Sequence, residues 1–188
     1  MQALVNVLLS KIREHNPELN EAQIRSRKFG LEVLLNELSK SLIYLFIFAI
    51  FSLAGYFLLS MLIYCTIRMV TGGYHARSYW ECLVTSFIGF AIPILCGQLI
   101  EMGWIEKSVF LLASLVITMV FAPVIHKNTP KRNLSNTRKF KTLSVALVAL
   151  WSSLSFLLPG AWSVTAVFTI FVEAVMQPLG KRFNPVMK

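Results

Sequence analysis

Four long runs of the sequence carry no Asp, Glu, Lys or Arg: residues 41–67, 83–100, 108–125 and 142–172. A helix needs about 20 apolar residues to cross the hydrocarbon core of a bilayer, and a helix in a soluble core seldom runs so far without a charge. The last run is divided by Pro159-Gly160, which predicts two spans, 142–158 and 161–178. The pattern indicates an all-α fold, a polytopic membrane bundle of about six membrane segments.

The first 40 residues have a different, amphipathic pattern. Residues 2–13 and 21–39 place apolar side chains among charged ones at roughly helical spacing, and Asn16-Pro17 predicts a turn between them. We expect residues 1–40 to lie at the cytoplasmic membrane interface, with an ordinary soluble helical cap as the alternative. The many charges in this region argue against a cleaved signal peptide.

The first uncharged run admits two interpretations. A helix over all of residues 41–67 is about 40 Å long and makes one tilted span. A hairpin that turns near the sequence SLAGY makes two short arms, unless the first arm also takes residues from 31–40. Hydropathy favours the single span. The charge distribution favours the hairpin, because residues 1–40, 127–141 and 181–188 are rich in Lys and Arg and should all face the cytoplasm. We expect the hairpin.

The formal net charge is +9, from 18 Lys and Arg against 9 Asp and Glu. In a soluble protein this balance would suggest nucleic acid. Here the basic residues lie between the apolar runs, where lipid headgroups and membrane topology account for them. We therefore expect membrane lipids, and no nucleic acid, as partners. A single membrane-embedded domain is expected over residues 1–188, with four spans in 83–178 and a cytoplasmic basic loop at 127–141.

The stretch TGGYHARSYWEC, residues 71–82, follows the first run and contains a histidine and a cysteine. On one straight helix His75 and Cys82 would share a face, about 10.5 Å apart along the axis, which is too far for a hydrogen bond. The glycine pair breaks a helix that arrives from the first run. The sequence SYWE matches the S-x-x-E pattern of a capping box, so we expect a new helix to start at Ser78.

Cys82 in the first turns of that helix, with His75 on the loop before it, has an arrangement suited to acyl transfer. A helix N-terminus and a neighbouring imidazole both favour the thiolate, and a thiolate beside a base can form a thioester. One His and one Cys at this spacing are common by chance, so the pair alone does not establish catalysis. The other two cysteines, Cys65 and Cys96, lie in apolar runs and are expected to be packed and inert.

The wider segment runs Arg68, three residues, Gly72-Gly73, one residue, His75-Ala76, five residues, Cys82. This pattern resembles the accessory gene regulator B (AgrB) family, bacterial membrane cysteine endopeptidases that process quorum-sensing propeptides. Phe121-Ala122-Pro123, at the end of a span and before a basic stretch, is similar to the family's aromatic-Ala-Pro segment. The resemblance covers nearly the whole chain. Tyr74 departs from it, because a small residue is expected there.

The resemblance implies a catalytic nucleophile at Cys82, a catalytic base at His75, and a supporting loop at Gly72 and Gly73. The implied reaction cuts the C-terminal tail from a short AgrD-like propeptide, leaves a thioester on Cys82 and permits ring closure to a thiolactone or lactone. It requires no metal, nucleotide or other cofactor. The site would face the cytoplasm at the bacterial cell membrane. The sequence leaves open whether the enzyme works as a homodimer.

The resemblance also implies a substrate with an amphipathic helix and an acidic tail, which the basic loop 127–141 suits. The candidate docking charges are Lys127, Lys131 and Arg132, although membrane topology alone would explain any one of them equally well. Arg68 is a candidate either for holding substrate carboxylates or for bracing the glycine pair. The sequence does not separate these two roles.

Glu173 is unusual because it lies inside the last apolar run. Ionisable residues at membrane depth are costly and often functional. This carboxylate could act behind the catalytic residues by orienting His75, or it could pair with a basic residue. A structural or snorkelling role is favoured from the sequence.

Two other function classes are consistent with a polytopic helical chain. A small transporter or exporter component would show repeated halves or several polar residues in its spans, whereas the sequence shows no repeat and essentially one such residue, Glu173. A non-catalytic scaffold with a basic lipid-binding loop would not need the constellation of glycine pair, histidine and cysteine. The peptidase hypothesis therefore explains more of the sequence than either alternative.

Overall fold

The computed structural model describes residues 2–15, 20–73, 78–124 and 134–183, and all regular secondary structure in them is α-helical. The helices are α1 Gln2–His15, α2 Glu21–Ile50, α3 Ala54–Thr71, α4 Tyr79–Leu99, α5 Trp104–Phe121, α6 Leu134–Ser155 and α7 Gly160–Phe183. They form two compact units, Met1–Ile47 and Phe48–Lys188. The predicted all-α class is confirmed.

The first unit contains α1 and most of α2. Asn20 caps the start of α2, because its side-chain oxygen accepts the N–H of Gln23 at 2.8 Å while the Gln23 side chain accepts the N–H of Asn20 at 3.1 Å. The helix begins at Glu21 as predicted, but it continues past residue 39 to Ile50. The predicted turn at Asn16-Pro17 lies outside the described residues.

The uncharged run 41–67 is broken into two helices, as the hairpin hypothesis requires. Helix α2 ends at Ile50, Ser52 adopts a left-handed φ of 60°, and α3 begins at Ala54. The N–H of Leu53 donates to the carbonyl of Phe48 at 2.7 Å, which is the pattern of a Schellman cap. The single-span alternative is excluded, because one continuous helix cannot contain this turn.

Five of the described helices are long and apolar enough to cross a membrane: Gly30–Ile50, Ala54–Thr71, Tyr79–Leu99, Trp104–Phe121 and Gly160–Arg182. The first takes ten residues from before position 40, as two full arms require. The remaining expected span, 142–158, forms only the second part of α6. Arg138, Lys139 and Lys141 lie in the first turns of that helix, so its uncharged part is shorter than a full span.

Helix α7 lies at the centre of the second unit. Its apolar window is 61% buried, against 17–33% for the candidate spans α3, α4 and α5. It packs on α3, α4, α5 and α6, and Val167 and Ile170 belong to the main apolar cluster. Gly97 of α4 permits close packing, since a Cβ there would overlap the Thr165 side chain of α7.

One end of the second unit brings together the end of α3, the start of α4, and the ends of α5 and α7; we call it the site end. Lys181 near the end of α7 lies 5.7 Å from the ring of Phe121, the last residue of α5. Helix α6 packs on α7 through a short connection at 156–159, so its basic first turns lie at the site end too. Exposed basic side chains therefore gather at this end: Arg138, Lys139, Lys141, Lys181 and Arg182.

Candidate active site

Cys82 occupies the first turns of α4, as predicted. The helix begins at Tyr79, and the side chain of Ser78, whose backbone is extended, accepts the N–H of Glu81 at 3.2 Å. The N–H of Cys82 donates to the carbonyl of Ser78 at 3.0 Å, so the cysteine backbone belongs to the regular helix. Its half-buried sulfur lies 3.9 Å from the Ser86 hydroxyl. The cap thus fixes where the thiol stands at the site end.

His75 lies in residues 74–77, outside the described residues. The break on which its predicted role depends is present, because α3 ends at Thr71 and α4 begins at Tyr79. The helix that contains Cys82 begins at Tyr79, four positions after residue 75 in the sequence. The pairing of His75 with Cys82 stays a prediction.

The backbone conformation and the close contacts at positions 72 and 73 both require glycine. Gly72 has φ 69° and ψ −151°, a region that is essentially restricted to glycine. A Cβ on Gly72 would overlap the carbonyl oxygen of Val124, and a Cβ on Gly73 would overlap the guanidinium of Arg68. The pair is therefore a packed turn at the end of α3, where larger residues do not fit.

The segment Phe121-Ala122-Pro123 lies against the glycine pair. The N–H of Val124, which follows the segment, donates to the carbonyl of Thr71 at 2.7 Å. Ala122 is buried. Two stretches about 50 residues apart in the sequence, each singled out by its motif, thus meet at the site end.

Arg68 and Glu173 form an ion pair beside this turn. Their Nη1 and Oε1 atoms are 3.6 Å apart, with the Glu173 side chain fully buried and that of Arg68 17% exposed. The Thr71 hydroxyl is 3.1 Å from the same Oε1, to which it can donate a hydrogen bond. Of the two alternatives for Glu173, pairing with a basic residue is the one observed. The carboxylate does not snorkel, because none of it reaches the surface.

The guanidinium of Arg68 has further neighbours. Its central carbon lies 5.7 Å from the Tyr64 ring centroid, and Cys82 lies within its electrostatic range. Its contact with Gly73 matches the bracing alternative. Arg68 thus joins the buried carboxylate, the glycine turn and the neighbourhood of the thiol.

The predicted docking charges Lys127, Lys131 and Arg132 lie outside the described residues, in 125–133. The predicted loop 127–141 is partly helical, because α6 begins at Leu134. Three further basic residues on this part of α6 are exposed: Arg138, Lys139 and Lys141. Among the described residues, no group of three or more His, Cys, Asp or Glu could hold a metal ion.

The polar partners around the site were not predicted from the sequence. Thr71 bonds Glu173, and the Gln177 amide donates to the Thr118 hydroxyl at 3.2 Å. A signal was present for the partners on α7 alone, because residues 165, 169, 173 and 177 are polar at a four-residue spacing inside an apolar helix. The expectation that Cys65 is packed was wrong: it is exposed on α3. Uncharged runs do not reveal which helix face is buried.

The chain is similar to one known protein family and to several of its members. The accessory gene regulator B family model matches residues 3–177. An AgrB-like protein of Clostridium beijerinckii is 30% identical over 164 residues, covering 87% of this chain and 81% of that protein. The accessory gene regulator protein B of Staphylococcus epidermidis is 28% identical over 158 residues, covering 84% and 80%. No solved structure matches the chain.

Proposed function

Because the chain belongs to the accessory gene regulator B family, we propose that it is a membrane cysteine endopeptidase acting on a short AgrD-like propeptide. Family membership supports an accessory gene regulator role in quorum sensing. The proposed reaction removes the C-terminal tail of the propeptide through a thioester on Cys82. It then permits closure of a thiolactone or lactone ring.

The observation that carries the proposal is the position of Cys82. The thiol lies in the first turns of a helix whose cap is formed by Ser78. The Arg68 guanidinium, which packs against Gly73 of the glycine turn, lies within electrostatic range of this cysteine. The packed glycine turn and the capped helix start fix the chain on the two sides of residues 74–77. Fixed ends favour a defined geometry for a base and a nucleophile.

In the proposed mechanism, His75 accepts the thiol proton of Cys82 and the thiolate attacks a peptide carbonyl of the substrate. The C–N bond of the tetrahedral intermediate breaks, and His75 gives the proton to the departing amine of the tail. The N-terminal part of the propeptide remains as a thioester. A thiol or hydroxyl of the substrate then attacks that thioester, closes the ring and frees Cys82.

A cysteine suits this reaction because the thioester retains the activation of the carbonyl. Direct hydrolysis would discard the free energy that ring closure needs. Water must therefore be kept from the intermediate. The site end borders an apolar bundle, which supports a location at the membrane boundary.

Charge supports the proposed orientation and substrate. The exposed basic residues at the site end favour its placement at the cytoplasmic face of a bacterial cell membrane. Lys127, Lys131 and Arg132 are proposed to dock the acidic tail of the propeptide. Membrane lipids are proposed as further partners, and a homodimer is proposed as a working state to be tested.

The function is tested by incubating the purified protein in lipid with a candidate propeptide and measuring intact masses. The proposal predicts an adduct on Cys82 equal to the propeptide without its tail. The adduct should be absent from Cys82→Ser and greatly slowed in His75→Ala. Tail release by both variants at the parent rate would contradict the proposal.

A small transporter or exporter component is the second candidate, and one observation favours it. Helix α7 carries a buried polar face that includes Thr165, Thr169, Glu173 and Gln177, where the sequence suggested little beyond Glu173. Polar residues along one face of a span can line a solute path. Uptake or efflux that persists in Cys82→Ser while no adduct forms in the parent would support this alternative.

A further inference from the structure

The ion pair of Glu173 and Arg68 limits what Arg68 can do at the site end, because the carboxylate of the pair is buried. Glu173 is fully buried, and its Oε1 lies 3.6 Å from Nη1 of the Arg68 guanidinium. A buried charge that loses its partner is strongly destabilising. The two side chains are therefore committed to each other, which leaves Arg68 poorly placed to leave the bundle and bind a substrate carboxylate.

Arg68 connects the ion pair to the glycine turn. The guanidinium of Arg68 occupies the space where a side chain of Gly73 would begin. The carbonyl of Arg68 also accepts the N–H of Gly72 at 3.0 Å. The position of the guanidinium thus determines where the chain can pass as it leaves α3 toward His75.

Thr71 connects the ion pair to the segment that follows α5. Thr71 lies one turn after Arg68 on α3, and its hydroxyl reaches the carboxylate of Glu173 at 3.1 Å. The carbonyl of the same threonine accepts the N–H of Val124 at 2.7 Å. Glu173 of α7 therefore contacts both Arg68 and Thr71 at the end of α3.

We propose that Glu173 is a positioning residue: through Arg68 it holds the Gly72-Gly73 turn, which ends two residues before His75, in place at the site end. Arg68 is then a brace, and the substrate carboxylates bind elsewhere. The central helix α7 thereby supports the geometry of a site whose proposed reacting residues are Cys82 of α4 and His75, seven positions before it in the sequence. The catalytic part of this inference rests on the proposed function.

The first test compares kcat and KM for propeptide cleavage in Glu173→Gln, Arg68→Gln and the double variant. Each single change should lower kcat by about 10- to 100-fold, because a misplaced loop weakens the reacting geometry. The KM should change by less than about threefold. The double variant should be no worse than the worse single variant, since it leaves no unpaired charge and the two residues act as one unit.

Two results would overturn the proposal. The first is a parent-like kcat in Glu173→Gln. The second is an increase of KM in Arg68→Gln with kcat unchanged, because it would assign Arg68 to the substrate carboxylates. If Arg68→Gln does not fold, Arg68→Lys replaces it, since that change keeps the charge but removes the planar fork.

Thr169→Val is the matched control. Thr169 lies on the same buried face of α7, one turn before Glu173, and its hydroxyl bonds Ser60 of α3 at 3.1 Å. The variant removes a buried contact between the same two helices without touching Arg68 or Gly73. Its kcat should stay within about twofold of the parent. A loss as large as that of Glu173→Gln would show that any damage between α3 and α7 has this effect, and would refute the positioning role.

A second test needs no propeptide, so its outcome is independent of the proposed function. With Cys65→Ser and Cys96→Ala in the background, the rate of alkylation by iodoacetamide reports on Cys82 alone. Glu173→Gln should change this rate by about threefold or more when Arg68 is present, and should have little effect in Arg68→Gln. Equal effects in both backgrounds, or none in either, would contradict the inference. Failure of the parent to cleave any propeptide would count against the proposed function alone.

Discussion

At the residue scale, Gly72 shows how tightly the backbone constrains the site end. Its φ of 69° and ψ of −151° are accessible to glycine and to few other residues. The carbonyl oxygen of Val124 fills the place of a side chain. The sequence indicated that a helix breaks here, but it could not indicate that the second glycine makes room for Arg68.

Gly72→Ala is expected to lower the free energy of unfolding by about 1–3 kcal/mol, because alanine is strained at this φ and its Cβ overlaps a carbonyl. Thermal unfolding in lipid nanodiscs, followed by tryptophan fluorescence, measures the change. Gly89→Ala is the control, since Gly89 lies within α4 with no neighbour within 4 Å of an added Cβ. The control should be neutral or stabilising by about 0.5–1 kcal/mol. Equal stability of both variants would refute the explanation.

Cys82 and His75 were proposed from the sequence because their spacing, with the glycine pair and Arg68, resembles a family pattern, and their catalytic roles stay predictions. Glu173 could be noted as unusual, but its partner could not be found. That partner is more than 100 positions away, and only the packing of α7 on α3 brings the two together. Thr71 gave no signal at all, since a threonine near a helix end is ordinary.

At the element scale, the start of α4 was the most predictable feature of the site. An S-x-x-E pattern before an apolar run has a direct physical cause, because the serine oxygen satisfies an N–H that the helix cannot. The break at 51–53 was harder to predict. Its cap uses Ser52 in a left-handed conformation, and serine is not a strong signal for that geometry.

Ser78→Ala should destabilise the first turn of α4 by about 0.5–2 kcal/mol and slow the formation of the Cys82 adduct, because the N–H of Glu81 loses its acceptor. Ser78→Asp should restore the parent rate, since aspartate is an equally good cap. The rate of adduct formation is measured by mass spectrometry on both variants. A parent rate in Ser78→Ala would mean that the cap does not position the thiol.

At the scale of the whole molecule, the even distribution of apolar residues concealed which helix is central. Uncharged runs predicted several similar spans, yet α7 is far more buried than the rest. Part of its buried surface is polar, so a search for the most apolar helix would have missed it. Membrane spans can therefore be counted from the sequence more reliably than their positions in a bundle can be assigned.

The gathering of basic residues at the site end predicts the orientation of the protein. In cells with Cys65→Ser, Cys82→Ser and Cys96→Ala, a membrane-impermeant maleimide should label Glu101→Cys from outside. It should label Arg182→Cys only after permeabilisation, because both positions are exposed but lie at opposite ends of the second unit. Labelling of Arg182→Cys in intact cells would place the site end outside.

The central claim is that Cys82 preserves the activation of the substrate carbonyl for ring closure. The most direct test measures the mass of the peptide released from the purified protein in lipid. The mechanism predicts a product one water lighter than the linear fragment. It also predicts a hydroxylamine-sensitive Cys82 adduct that accumulates when the ring-forming residue of the propeptide is changed to alanine. Release of only the linear acid, with no such adduct, would show that water resolves the intermediate and would contradict the mechanism.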